Sequence, residues 1–172
     1  MANDNFKLDV DADGIALITW DMPGRSMNVI DLSVIEELSK LVEKVASDAA
    51  IKGAVITSGK DTFCAGADLT LIESLTRMFD GMAKKDGEEA AATLLFTESR
   101  KLSQLYRRIE TCGKPFAAAI NGTALGGGFE LCLACHQRIA ADNDKTRLGL
   151  PEVKIGGRAS FNEKRRLVWS GC

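Results

Sequence analysis

The stretch AAINGTALGGGFELCLACHQRIA, residues 118–140, joins an apolar run, a turn with three successive glycines and a second apolar segment. The apolar run begins before this stretch. Residues 114–120, KPFAAAI, predict a strand that starts after a proline. FELCLACH (129–136) predicts an apolar helix, and RIAA (138–141) a short strand. Three glycines at such a junction leave main-chain N–H groups open to a ligand oxygen. They are equally typical of a helix and a strand that simply pack closely.

The amino-terminal part of the chain also alternates between strands and helices, which favours an α/β fold. FKLDV (6–10) and IALITW (15–20) flank an Asp-Gly turn and predict a hairpin. Residues 31–48 place apolar side chains at helical spacing and predict an amphipathic helix. GAVITSG (53–59) is continuously apolar, so we expect a strand that is buried on both faces.

The middle of the chain carries a weaker signal. Residues 72–98 mix helix-forming residues with charges and glycines, and they predict a mobile or helical surface excursion. A helical pattern returns over residues 97–113. We find no internal sequence repeat.

Composition indicates one globular domain and excludes several classes of partner. The chain has 172 residues, of which 45% are hydrophobic and 27% charged, enough to build a buried core. A net charge of −2 gives no reason to expect binding to nucleic acid or to an anionic membrane surface. The start, MANDNFKLDVDADG, does not resemble a signal peptide, and no apolar run approaches the roughly 20 residues of a membrane span. We therefore predict a cytoplasmic protein whose five cysteines stay reduced.

The run Cys132-x-x-Cys135-His136 has the pattern of a covalent haem attachment site. That chemistry belongs to exported proteins, and the chain contains only one histidine, so a second haem ligand would have to be a methionine. A zinc site is also disfavoured, because no second ligand pair lies at the spacing that would complete a tetrahedron. We expect both cysteines to be small apolar residues on the buried side of a helix.

Two nucleotide-binding motifs fail on inspection. GAVITSGKD (53–61) has five residues between its glycines instead of four, and Asp61 stands where a magnesium-binding Ser or Thr is needed. The glycines at 126–128 do not open a dinucleotide fingerprint, because Leu131 occupies its last glycine position. Hydride transfer is therefore not indicated.

A second turn of small residues, FCAGAD (63–68), follows the strand predicted over 53–59. In a parallel sheet this turn and the triple glycine would both lie beyond the carboxyl ends of strands, where ligand sites of α/β proteins form. Two main-chain N–H groups from separate turns can then converge on one oxygen. Such an arrangement is an oxyanion hole, in which each donor contributes roughly 3 to 4 kcal/mol.

Three motifs in this order, TFCAGADL (62–69), residues 118–140 and RLGLPEVKIG (147–156), resemble the crotonase (enoyl-CoA hydratase/isomerase) family. The similarity is closest to the hydratase portion at the amino terminus of multifunctional fatty-acid oxidation proteins. It implies a crotonase-like (ClpP/crotonase) α/β fold, a spiral of β-β-α units that is incomplete at the carboxyl terminus. We expect a core over residues 1–156 and a basic tail over 157–172 that does not resemble the family and reads as a truncated or frameshifted end.

The resemblance also implies site residues. The amides of Ala65 and Gly127 match the oxyanion pair, and Glu130 and Glu152 match the catalytic carboxylates of the hydratases. The loop MPGRSMNVID (22–31) resembles the segment that lines the coenzyme A groove. The expected substrate-binding residues are Ser26, Met27, Ala65, Gly66, Ala67, Asp68, Gly126 and Gly127. Coenzyme A enters as part of the substrate, and neither a metal nor a redox cofactor is expected.

Two glutamates favour hydration of a 2-enoyl-CoA over double-bond isomerisation, for which one carboxylate suffices. Water addition needs one proton taken from the attacking water and another delivered to C2. Taken alone, Glu130 is also a plain first-turn helix carboxylate, and Glu152 a plain loop charge. The alternative is an inactive truncated chain that binds acyl-CoA weakly or docks on family subunits. A complete chain of this family would form a trimer.

Overall fold

The computed structural model describes residues 5–151, without the side chains at positions 69 and 72. The elements in chain order are β1 (Phe6–Val10), β2 (Ile15–Trp20), α1 (Leu32–Ser47), β3 (Gly53–Ser58), α2 (Leu69–Asp86), α3 (Glu88–Thr111), β4 (Phe116–Ile120), β5 (Ala124–Leu125), α4 (Gly127–Ala134), β6 (Gln137–Ala140) and β7 (Leu148–Gly149).

Five strands form one sheet in the order β1-β2-β3-β4-β6, in which only β1 runs antiparallel to its neighbour. The predicted hairpin of β1 and β2 is confirmed, with Phe6 opposite Trp20. Its turn is held by the Asp11 carboxylate, which accepts N–H bonds from Asp13 at 3.0 Å and Ile15 at 2.8 Å. Gly14 closes the turn with a φ of 83°, a conformation that favours glycine. The sheet thus starts from a strongly specified local structure.

Helix α1 confirms the predicted amphipathic helix. The Asp31 side chain accepts the Val34 N–H at 2.9 Å, which satisfies one of the N–H groups that every helix leaves open at its start. The buried residues of α1 follow the helical period and face the sheet; they are Val34, Ile35, Leu38, Val42 and Val45. Burial of each such side chain stabilises the fold by roughly 1.5 to 3 kcal/mol.

Helices α2 and α3 form a hairpin where the sequence predicted a mobile or helical excursion, so the helical alternative is the one observed. Gly87 joins the two helices with a φ of 93°. Helix α3 starts at Glu88, well before the pattern that predicted it over residues 97–113. Its last turns place Leu105 and Ile109 in the core and thereby attach the hairpin to the sheet. Within the described residues, no helix is both long and apolar enough to cross a membrane.

A second set of short parallel pairings runs beside the main sheet. Ile30 pairs with Ala67, Cys64 pairs with Ala124, and β5 pairs with β7. Each of these pairings involves a segment that follows a strand of the main sheet, and three of those segments lead directly into α1, α2 and α4. This repeat of long strand, short strand and helix is the predicted spiral of β-β-α units. The repeat is structural only, since the sequences of the units differ.

The core lies between the helices and one face of the main sheet. Trp20 is fully buried there, stacked on Phe6 at 5.3 Å and edge-on to Phe63 at 6.4 Å. The expectation that β3 is buried on both faces is wrong, because Val55 and Thr57 on the other face are only half-buried. The helices of the described residues cover one face only, so the side chains of the other face keep contact with solvent.

Candidate active site

The two predicted turns meet at the ends of β3 and β5, as expected of turns that follow strands of a parallel sheet. The Leu125 N–H donates to the Cys64 carbonyl at 3.0 Å, and the Cys64 N–H donates to the Thr123 carbonyl at 3.1 Å. A Cβ added at Gly128 would lie 2.5 Å from the Cys64 Cβ, closer than such atoms ever approach. Gly128 therefore allows a main-chain approach that no other residue would permit.

The N–H groups of Ala67 and Gly127 at this junction have no acceptor among residues 5–151. When two parallel strands pair, a residue of one strand hydrogen-bonds the two residues on either side of its partner in the other strand. The N–H of the partner itself then points away from that residue. Ile30 bonds Gly66 and Asp68 in this way, at 2.9 Å and 2.8 Å, which leaves the Ala67 N–H unengaged. The Gly127 N–H opens α4 and is unengaged because helices leave their first N–H groups free. Both groups are suited to bind a negatively charged oxygen, and that of Gly127 lies at the positive end of a helix dipole.

The structure moves the first predicted donor from Ala65 to Ala67. The Ala65 N–H donates to the Asn28 carbonyl at 2.9 Å and is therefore not available to a substrate. Ala67 was predicted only as a substrate-binding residue, and it is exposed. Gly66 lies between them and has a φ of 108°, which turns the chain so that the Ala67 N–H points away from Ile30.

The triple glycine is shaped by Gly126, which has a φ of 53° and a ψ of −131° that side chains disfavour. Its N–H donates to the Gly149 carbonyl at 3.0 Å, and its carbonyl accepts the N–H groups of Phe129 at 2.9 Å and Glu130 at 3.0 Å. These bonds fix the start of α4, two residues earlier than the sequence predicted.

Glu130 is exposed and stands in the first turn of α4. Its Oε2 lies 3.8 Å from the point that a Cβ of Gly127 would occupy. The carboxylate therefore adjoins the Gly127 main chain, and its catalytic role stays a prediction. Glu130 also lines a groove of about 450 Å³ between α3 and α4, together with Leu102 and Tyr106 of α3. A larger groove of about 590 Å³ between α1 and α3 is lined by no residue of either turn.

Tyr106 is a site residue that the sequence analysis missed. Its hydroxyl donates to the Gly127 carbonyl at 2.7 Å. Burial, and next the nearby charge of Glu130, raise the pKa of the Tyr106 phenol above its ordinary value. In the sequence Tyr106 is one position of a helical pattern, and no motif distinguishes it.

Asn28 ties the loop over residues 22–31 to both β2 and the first turn. It is fully buried, and its side-chain amide donates to the carbonyls of Trp20 at 2.9 Å and Phe63 at 3.2 Å and to the Ser58 hydroxyl at 2.9 Å. Its Oδ1 accepts the Met22 N–H at 3.0 Å. The predicted substrate-binding residues Ser26 and Met27 lie in the same loop and are exposed.

Asp68 is the N-cap of α2. It directly follows Ala67, the residue whose N–H is unengaged. Its Oδ1 accepts the N–H and the hydroxyl of Thr70, both at 2.8 Å, and its Oδ2 lies 2.7 Å from the Arg25 Nη1. The bonds from Thr70, and then the Arg25 guanidinium, hold the pKa of the Asp68 carboxyl below its usual value. The ion pair fastens the loop that carries Ser26 and Met27 to the start of α2.

We expect Asp68→Asn to destabilise the protein by about 1 kcal/mol near neutral pH, because Asn still caps the helix but loses the ion pair. A carboxyl with a lowered folded-state pKa stabilises the fold above its unfolded pKa, and that contribution disappears as the pH falls through the folded value. The difference from wild type should therefore shrink below about pH 4. Urea unfolding of both proteins over this pH range measures it. Asp144→Asn, at an exposed loop position, is the control, and a pH-independent gap for Asp68→Asn would contradict the assignment.

The Cys-x-x-Cys-His run is structural in the described residues. Burial raises the pKa of the thiols of Cys132 and Cys135, and of Cys64, to about 12. The His136 Nδ1 accepts the Phe116 N–H at 3.1 Å. No group of three or more His, Cys, Asp or Glu side chains within the described part of the chain is placed to hold a metal. Cys132 and Cys135 are buried apolar residues, as predicted.

Glu152, the second predicted carboxylate, and the tail over residues 157–172 lie outside the described residues. Both stay predictions.

Comparison with known proteins shows the family. Residues 11–170 match the sequence profile of the family described as enoyl-CoA hydratase/isomerase. The chain belongs to this family. The profile match extends over most of the tail that the sequence analysis separated from the core, and that boundary stays a prediction.

Curated members of the enoyl-CoA hydratase/isomerase family indicate which part of a longer protein the chain matches. The fatty acid oxidation complex subunit alpha of Idiomarina loihiensis is 44% identical over 152 residues, which are 88% of this chain and 20% of that protein. The subunit of the same name from Shewanella amazonensis is 40% identical over the same shares. The chain therefore spans about a fifth of these relatives and corresponds to their amino-terminal hydratase portion.

Solved structures of the family confirm the crotonase fold. An enoyl-CoA hydratase from Bacillus anthracis superposes with a TM-score of 0.68 at 29% identity, over 88% of this chain and 52% of that one. A crotonase of Legionella pneumophila gives a TM-score of 0.72 at 26% identity, over 89% and 53%. The chain thus spans about half the length of the family structures it matches.

Proposed function

We propose that the protein adds water across the 2,3 double bond of 2-enoyl-CoA thioesters to give 3-hydroxyacyl-CoA in fatty-acid β-oxidation. The observation that carries the proposal is the junction of the two turns. There the unengaged N–H groups of Ala67 and Gly127 flank a tight main-chain contact, and Glu130 adjoins Gly127. A reaction through an enolate-like thioester oxygen needs two such donors and a nearby carboxylate, and these observations support the proposal.

In the proposed reaction the thioester carbonyl accepts hydrogen bonds from the Ala67 and Gly127 N–H groups. Each bond strengthens as the oxygen gains negative charge, which contributes roughly 3 to 4 kcal/mol per donor to the transition state. Polarising the carbonyl makes C3 electrophilic. The turns therefore do the electrostatic part of the catalysis without any side chain.

Glu130 takes the proton from water as the water oxygen bonds to C3, and Glu152 delivers a proton to C2. Each transfer contributes about 10²- to 10⁴-fold. The role of Glu152 follows from the resemblance of RLGLPEVKIG (147–156) to the family motif. The exposed Ser26 and Met27 and the segment 65–68 would contact the coenzyme A part of the substrate. The mechanism uses no metal or redox cofactor.

The second candidate is a chain that keeps the site geometry but only binds acyl-CoA or docks on family subunits. The chain spans about half of the family structures and about a fifth of the curated relatives, so the activity of the whole relatives is a proposal for this chain. The trimer expected of this family is likewise a proposal for this chain.

Hydration of crotonyl-CoA, followed by the loss of its conjugated absorbance, separates the two candidates. We expect turnover by the purified chain that depends linearly on enzyme concentration. Folded protein that binds crotonyl-CoA without turnover would establish the binding candidate instead. Gel filtration of the same sample, with and without a family subunit, then shows whether the chain assembles.

A further inference from the structure

Tyr106 contacts the candidate site from an element that carries none of the predicted site residues. It stands on α3, and its ring packs against the core at a cavity shared with Ile30, Val34 and Leu131. From there its hydroxyl donates to the Gly127 carbonyl at 2.7 Å. The same hydroxyl lies 3.5 Å from the point that a Gly127 Cβ would occupy, on the side where the Glu130 Oε2 lies at 3.8 Å.

Three successive glycines have the greatest backbone freedom of any tripeptide, so their position depends on outside contacts. On one side, the Gly126 N–H is held by the Gly149 carbonyl at 3.0 Å. On the other, the Cys132 thiol of the same helix reaches the Gly128 carbonyl at 3.2 Å. Among the described side chains, Tyr106 is the one from outside α4 that hydrogen-bonds a carbonyl of the triple glycine. The Gly127 N–H thus lies between a main-chain anchor and the Tyr106 anchor.

We infer that Tyr106 is a positioning residue. By holding the Gly127 carbonyl it fixes the peptide between Gly127 and Gly128 and so limits rotation about the Gly127 Cα, and the Gly127 N–H then meets the thioester oxygen as negative charge develops there. Tyr106 does not touch the reacting atoms in this scheme; it acts through the main chain of Gly127. The inference rests on the proposed function. It accounts for the contact between the Tyr106 hydroxyl and α4, whose first turn carries both the Gly127 N–H and Glu130.

The chemical state of Tyr106 suits this role. Burial and the adjacent Glu130 raise its pKa, so the hydroxyl stays protonated and remains a donor throughout the neutral and moderately basic range. Its ring is rigid and has a single polar atom, and the ring packs against the core. A donor with few rotatable bonds holds a glycine main chain better than a long flexible side chain would.

The first test uses Tyr106→Phe, which keeps the ring and removes only the hydroxyl, and measures amide hydrogen exchange by NMR without any ligand. The N–H groups of Phe129 and Glu130 bond the Gly126 carbonyl in the first turn of α4. We expect both to exchange about five-fold faster in the variant, from the loss of one half-buried hydrogen bond. The Cys135 N–H, at the other end of α4, should not change. Unchanged exchange at the first turn overturns the inference.

The second test compares binding of 3-oxobutanoyl-CoA, which can bind as an enolate, with butanoyl-CoA, which stays neutral. A positioning role predicts that Tyr106→Phe weakens the first about five-fold or more and the second less than about two-fold. Equal losses for both thioesters overturn the inference, because they indicate a general structural role. Ser103→Ala is the control. It removes an exposed hydroxyl from the groove between α3 and α4, which Tyr106 also lines, and it should change neither affinity.

The two tests separate the inference from the proposed function. Suppose that exchange is faster in the variant but the wild-type protein binds neither thioester. Tyr106 then holds the triple glycine as inferred, and the proposed function is refuted. If the wild type turns over crotonyl-CoA, Tyr106→Phe should lower kcat about five-fold with KM within about two-fold. A change in KM alone would contradict positioning of the transition state.

Discussion

Glu130→Gln should lower kcat for hydration of crotonyl-CoA by about 10²- to 10⁴-fold, the range for removal of a general acid or base. Glutamine has the shape of glutamate but cannot accept a proton from water. Because Glu130 is exposed and glutamine has nearly the same size, the fold should be unaffected. The affinity for butanoyl-CoA should stay within about three-fold of wild type, since that ligand undergoes no proton transfer. Steady-state kinetics and equilibrium titration measure the two quantities.

Glu110→Gln is the matched control for this substitution. Glu110 lines the same groove as Glu130, is exposed, and pairs with Arg107 at 2.8 Å on the surface of α3. Removing its charge changes the electrostatic potential of the groove without touching the Gly127 main chain. We expect its kcat to stay within about two-fold, because Glu110 is not a predicted site residue and a surface ion pair contributes little to stability. Equal losses for the two variants would mean that the groove's overall charge matters and that Glu130 has no specific role.

Local sequence signals were sufficient where an element's identity depends on its own residues. The Asp-Gly turn predicted the β1–β2 hairpin, and the spacing of apolar residues predicted α1. The triple glycine predicted a strand-to-helix junction. In each case the deciding interactions lie within a few residues of one another, such as the bonds that the Asp11 carboxylate accepts from the N–H groups of Asp13 and Ile15. The α2–α3 hairpin was less certain, because its glycines and charges are compatible with both a helix and a loop.

The site depended on contacts that sequence spacing does not encode. Whether Ala65 or Ala67 offers its N–H is decided by the register against Ile30, far away in the chain, and a shift of one residue would exchange the two directions. Tyr106 matters through one bond to a carbonyl 21 residues later. The open face of β3 has the same cause: an apolar strand indicates that burial is favourable, but the remaining chain determines which faces are covered.

Gly128→Ala should damage both stability and catalysis, because the new Cβ has no room. It would lie 2.5 Å from the Cys64 Cβ and 3.2 Å from the Cys64 carbonyl oxygen, and neither atom can move without the main chain. We expect a loss of about 1 to 3 kcal/mol in the free energy of unfolding, typical of overpacking. Gly81→Ala is the control: it lies within α2 with open space around it, so alanine should stabilise the helix by up to about 1 kcal/mol. Urea denaturation compares the two.

The catalytic loss from Gly128→Ala should exceed the loss of stability, since the clash separates the turns that carry Ala67 and Gly127. A misplacement of about 1 Å at such a site costs on the order of 10²-fold in rate. Adding Cys64→Gly removes the atom in the way, so the double variant should recover part of the activity although Cys64→Gly alone leaves a cavity. A double-mutant cycle in unfolding free energy and in kcat measures this coupling. Additive effects, or an unimpaired Gly128→Ala, would mean that the turns do not meet at these residues, and the shared oxyanion site would then have no structural basis.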